Sequence, residues 1–293
     1  MLLLGVTLAG GRSTAQNIVL GILEESKGHY SGEPNYRDVR VVFQKRGETW
    51  QPFQSDCADQ ACLKTVASTY PGEVKWTIAF DGKNLGQVVS HVPSAFKFYS
   101  DVGQQAIIST DEIPTVGTRS AEFGGYTEAS VYRPLVADSQ AFFADPDRWK
   151  PSVPSNKVTT LLQRAFRKKF PKLCRISQNN QSKLEGLSYR DVDVKTVKAY
   201  ASRSGSIVAR LHVEAVDCQD TEAGFDIDDP WFLIDEKGTT TYLDSGIWLV
   251  DAGDYDDDGK SELIFSINRE DEGGYEIWYD NFKKNATFKF VYH

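Results

Sequence analysis

Between Asp254 and Glu262 the chain reads DYDDDGKSE, four aspartates and a glutamate within nine residues. Carboxylates at alternate positions are the donor set of a hard cation. Calcium takes about six to eight oxygens at roughly 2.3–2.6 Å. In a tight turn Asp254, Asp256 and Asp258 converge on one side, and Gly259 allows the sharp reversal that brings later residues back. Lys260 can offer only its backbone carbonyl, while the Glu262 carboxylate closes the site; Tyr255 and Asp257 point away. An ordinary acidic turn needs one or two aspartates for its side-chain-to-backbone hydrogen bonds. Here Asp251, Asp254, Asp256, Asp257, Asp258 and Glu262 crowd within about a Debye length, roughly 8 Å in physiological salt, and repel unless a cation neutralises them. The expected metal residues are therefore Asp254, Asp256, Asp258, Lys260 and Glu262, and the expected ion is Ca2+.

The loop is not an EF-hand, which needs an acidic twelfth position and flanking helices. Its twelfth position is Phe265, and its flanks, IWLVD and ELIFSIN, have strand character. Gly253, Asp254, Asp256, Asp258, Gly259, Glu262, Leu263 and Ile264 follow the order Gly, D-x-D-x-D-G-x-x-D, then an apolar pair. This order resembles the calcium loop of FG-GAP and VCBS repeats, as in integrin alpha-subunit propellers, with Glu in place of the final Asp. The resemblance covers about a dozen residues. It implies a β-propeller blade over Trp231 to Tyr279, with calcium fixing the strand-loop-strand unit.

Other chemistry has weaker support. No G-x-S-x-G, H-E-x-x-H, P-loop or dinucleotide fingerprint occurs. His212 alternates with Leu211 and Val213 and reads as a strand residue rather than a base. FDIDDPWF, Phe225 to Phe232, is a second acidic stretch without the glycine of a ligand loop. Six tryptophans could form a sugar platform, but in an all-β protein they belong more often to the core. A protein or carbohydrate ligand therefore suits a binding module with a structural calcium. The alternative is a secreted hydrolase, acting on glycans, with carboxylates from separate strands. A net charge of -8 disfavours nucleic acid. The one basic cluster, Arg164 to Lys172, fits the polar face and C-terminal end of a helix.

The elements that must position this loop are mostly strands. Trp76 to Phe80 and Leu85 to Ser90 read as a hairpin, as does Val39 to Phe53, turning near Gly47. A third hairpin turns at Ser204-Gly205, and six short strands run from Trp231 to the C-terminus. Val158, Leu161, Leu162, Ala165, Phe166 and Phe170 share one face of a helix capped by Ser155 or Asn156 and ended by Pro171. The expected fold is mostly β, a propeller-like or other antiparallel meander with one amphipathic helix. Residues 1–15 read as a signal peptide, and 16–293 as one β-rich domain with a sub-boundary near 137–156 and a calcium-loop unit over 231–293. No apolar run reaches the roughly 20 residues of a transmembrane segment. Four cysteines fit a secreted or periplasmic protein with disulfides, in any of three pairings.

Overall fold

The computed structural model describes residues 17–26, 34–110, 112–123, 130–141, 143–177, 180–190, 192–218, 229–269 and 271–292. The signal segment and the first half of the FDIDDPWF stretch lie outside them. The chain is mostly β, and its strands pair antiparallel. The first half contains β1 (Val19–Ser26), β2 (Tyr36–Arg46), β3 (Thr49–Pro52), α1 (Gln60–Ala67), β4 (Glu73–Phe80), β5 (Lys83–His91), β6 (Gln104–Ile107) and β7 (Leu135–Asp138). Then follow β8 (Lys150–Pro151), α2 (Asn156–Lys169), β9 (Leu173–Ser177), β10 (Asn180–Leu187), β11 (Lys195–Ala201), β12 (Ile207–His212) and β13 (Val216–Asp217). The last six strands are β14 (Trp231–Ile234), β15 (Thr240–Tyr242), β16 (Ile247–Gly253), β17 (Glu262–Asn268), β18 (Glu272–Tyr279) and β19 (Lys284–Val291).

The sheet order β1-β7-β4-β5-β6-β2 closes on itself through a β1–β2 pairing, so six strands form a barrel with β3 appended to β2. The three expected hairpins are β2–β3, β4–β5 and β11–β12. The β4–β5 turn is Asp81-Gly82, both at positive φ (51° and 66°). That is the primed turn whose twist matches two-residue hairpins, and glycine adopts it without strain. The six C-terminal strands all form but divide: β14 and β15 join a five-stranded sheet with β12, β11 and β8, while β16 to β19 make a four-stranded meander.

Strands β16 to β18 are buried on both faces, while the edge strand β19 buries one. Ile264, Ile277, Phe288 and Phe290 share a core with the barrel's Leu20, Ile22 and Phe43. Leu263, Phe265 and Ile267 pack with Trp231 and Leu233 of β14. The other face of the five-stranded sheet, through Ala209, Leu211 and Phe232, receives Leu162 and Phe166 of α2. The layers thus run barrel, four-stranded sheet, five-stranded sheet, helix. Period-two alternation lets each middle strand serve two cores.

Ser155, not Asn156, caps α2 by accepting from Val158 N. Arg167 and Lys169 lie over the Tyr189 and Tyr242 rings, which accounts for part of the basic cluster through local stacking. The second helix, α1, was not anticipated: its apolar residues Leu63, Val66 and Ala67 are too few to show a helical period in so short a segment. Disulfides join Cys57 to Cys62, across the start of α1, and Cys174 to Cys218, across the β9–β13 pair.

Candidate metal centre

The acidic loop is the connection between β16 and β17, whose register closes at Gly253 opposite Glu262. Its local folding is driven by its own carboxylates. Asp254 accepts from Asp258 N (3.0 Å) and Gly259 N (2.9 Å), and Asp256 accepts from Asp258 N (3.2 Å). Gly259 sits at φ 79°, the reversal expected of it. The loop is clamped from outside by the connection after β7. Asp254 N donates to Ala144 O (2.6 Å), and Ser261 Oγ donates to Asp145 Oδ1 (2.7 Å).

Of the five expected metal residues, three converge. Asp254, Asp256 and Glu262 each present a carboxylate oxygen within 4.8 Å of the others. Asp254 and Glu262 are 8% and 1% exposed, and the Asp256 side chain is only 2% exposed. Asp258 turns outward, with Oδ1 accepting from Lys260 N (2.8 Å) and Oδ2 paired with Lys260 Nζ (3.3 Å). The Lys260 side chain also reaches Asp280 (3.5 Å), leaving its carbonyl as the group it can offer a cation. Asp257 is exposed, and Tyr255 is fully buried, its hydroxyl donating to Asp251 (3.1 Å).

The electrostatics are those of a cluster short of cations. Burial, and then the charge of Asp256, push Glu262 up to about 9, although Tyr255 N donates to it (2.9 Å). Burial raises Asp254 as well, with Asp256 and Asp258 adding to the shift. The basic group that enters is Lys45 of β2, paired with Asp256 and lying over the Trp50 and Tyr279 rings (5.1 and 5.6 Å). A cavity of about 610 Å³ opens beside it, lined by Lys45, Gln140, Asp256, Asp258 and Lys260 among others.

Sequence reasoning missed Lys45 and Asp138. Lys45 lay inside a hairpin arm, and Asp138 in what read as the start of a linker. A charged residue closing the apolar run LVAD was the available signal. The tryptophans Trp50, Trp76, Trp149, Trp231 and Trp278 are buried in the cores, so they do not form a sugar platform. His212, exposed on β12, has a partner that spacing did not show: its Nδ1 lies 2.8 Å from Asp229 Oδ1. Comparison with protein-family models, curated proteins and solved structures returns no match.

Proposed function

We propose that this is an exported β-rich binding protein in which one structural calcium ion holds the loop between β16 and β17, leaving a protein or carbohydrate ligand to be engaged elsewhere on its surface. The convergence of Asp254, Asp256 and Glu262 carries the reading, since three carboxylates lie within 4.8 Å of one another and, among the described residues, Lys45 is the ammonium paired with one of them. Hard oxygen donors dominated by carboxylates suit calcium better than magnesium, which demands near-octahedral geometry and keeps its water. The likeness of the loop to FG-GAP and VCBS calcium loops supports the same choice. Export is supported by the two disulfides, which persist in oxidising compartments.

Calorimetric titration of calcium into the metal-free protein tests this. One site is expected, lost when Asp256→Asn and Glu262→Gln are combined. A parent protein with neither calcium-dependent heat nor a melting shift would sink the reading.

A further inference from the structure

We propose that Asp138, at the end of barrel strand β7, is a further ligand of the cation site, so that the ion bridges the barrel to the β16–β17 loop. The proposal rests on the calcium reading above and extends it to a residue more than a hundred positions away in sequence.

The first observation is an orphaned oxygen. Asp138 is 0% exposed. Its Oδ1 accepts from Gln140 N (2.8 Å), but its Oδ2 is buried without a hydrogen-bond partner. A buried carboxylate oxygen costs roughly 1–3 kcal/mol or more when unsatisfied, so such an atom calls for an explanation.

The second observation is direction. Residues paired across neighbouring strands share a face of the sheet. Asp138 pairs with Leu20 of β1 and Thr77 of β4, and Leu20 pairs with Phe43 of β2. That row lies on the barrel face covered by the four-stranded sheet. Two residues along β1 from Ile22, on the same face as Leu20, Glu24 accepts from Tyr275 of β18 (2.6 Å). Two residues along β2 from Phe43, Lys45 reaches Asp256. Asp138 therefore points toward the layer that carries the loop. The neighbouring charges that raise its carboxyl, after burial itself, are those of Asp256 and Asp254.

The third argument is ligand count. With Asp258 turned toward Lys260, the loop brings three carboxylates together. Calcium requires about six to eight oxygens. Asp138 brings one more from the barrel, with solvent from the adjoining cavity completing the shell.

The test is calcium titration of the full chain, comparing the parent with Asp138→Asn and Asp251→Asn. Asp251 is also a buried carboxylate near the loop, but its oxygens are engaged by Asp81 N (3.1 Å) and Tyr255 OH. Asp138→Asn is expected to weaken binding about 10–100-fold, with the metal-free melting temperature unchanged or higher, since the amide replaces the buried carboxyl without adding charge. Asp251→Asn should change affinity by less than about threefold. If the parent binds calcium and Asp138→Asn binds it equally well, the bridging ligand is refuted while the calcium site stands. If the parent binds none, both fall. Should Asp138→Asn fail to fold, carboxyl carbon-13 spectra of the parent decide. The Asp138 resonance must move on saturation with calcium, and an unmoved resonance overturns the proposal.

Discussion

The barrel face that meets the four-stranded sheet carries two buried acidic clusters, and they are resolved differently. At one, Glu24 receives Arg40 through Nε (2.9 Å) and Nη2 (2.7 Å), Gln104 Nε2 (3.2 Å) and the Tyr275 hydroxyl (2.6 Å). Arg40 spends its remaining donors on Ser100 O (2.8 Å) and Val102 O (2.6 Å), and its guanidinium lies 4.0 Å from the Phe290 ring centre. At the other, Asp254, Asp256 and Glu262 converge, Lys45 pairs with Asp256, and the Oδ2 of Asp138 is buried with no partner among the described residues. A planar guanidinium with five donors can satisfy a carboxylate and its surroundings from within the chain, whereas an ammonium paired with one of three converging carboxylates leaves the other two without it. The first cluster is a self-contained lock between layers; the second gathers three carboxylates against the Lys45 ammonium paired with one of them.

The comparison breaks most visibly at Arg40. Arg40→Met should cost about 3–5 kcal/mol in denaturant unfolding, because it strands Glu24 and two carbonyls in a dry interface. A loss under about 1 kcal/mol would mean that water already reaches this cluster. Tyr275→Phe removes one charge-assisted hydrogen bond to Glu24 and should cost about 2 kcal/mol by the same measurement. Neither substitution should alter calcium affinity, since neither touches the loop.

Asp38 sharpens the contrast through pH. It lies opposite Glu24 in the β1–β2 register and is 4% exposed. Burial, and then the charge of Glu24, raise its carboxyl well above the ordinary range, against the lowering influence of Arg40; Asp101 adds to the rise and Arg37 opposes it. A carboxyl whose folded pKa is raised contributes stability that is full below its unfolded pKa, about 3.9, and is lost as pH rises through the folded value. Asp38→Asn should therefore match the parent below about pH 4 and exceed it increasingly above. Unfolding free energies across pH 3 to 8 check this, and parallel curves would refute it.

How much was legible in sequence follows the range of the interactions. Asp254, Asp256, Gly259 and Glu262 were readable because a loop folds on its own spacing, and the hairpins because turn residues and alternation are local. Ser155 and the apolar stripe of α2 were readable for the same reason. What escaped depends on closure of the barrel. Lys45 reaches the loop, and Asp138 faces the same layer, only because β1 pairs with both β7 and β2. Nothing in the LVAD or FQKR stretches encodes that pairing. The division of the last six strands between two sheets escaped likewise, since Trp231 to Ile234 finds its partner in β12 rather than in β16. Asp258, in the expected rhythm, was drawn off by Lys260 two residues on, a competition that spacing alone does not rank.

The smallest expected effect is the most discriminating, because it separates a chain-supplied cation from an imported one at the same carboxylate. If Lys45 is the cluster's only positive partner and calcium takes its place at Asp256, the two compete. With the Lys45 and Asp256 side chains 13% and 2% exposed, the pair's attraction is largely offset by desolvation, and a net of about 1 kcal/mol, about fivefold in a binding constant, sets the scale. Lys45→Met should therefore tighten calcium binding by up to about fivefold while lowering metal-free stability slightly. Linkage sets the scale of the companion effect. With a dissociation constant near 10⁻⁴ to 10⁻³ M, typical of extracellular modules, 1 mM calcium stabilises the parent by about 0.4–1.4 kcal/mol. Calcium's added stability at 1 mM should accordingly be larger in Lys45→Met than in the parent. The opposite result, weaker binding without the lysine, would mean that its stacking on Trp50 and Tyr279 shapes the site rather than competes for it.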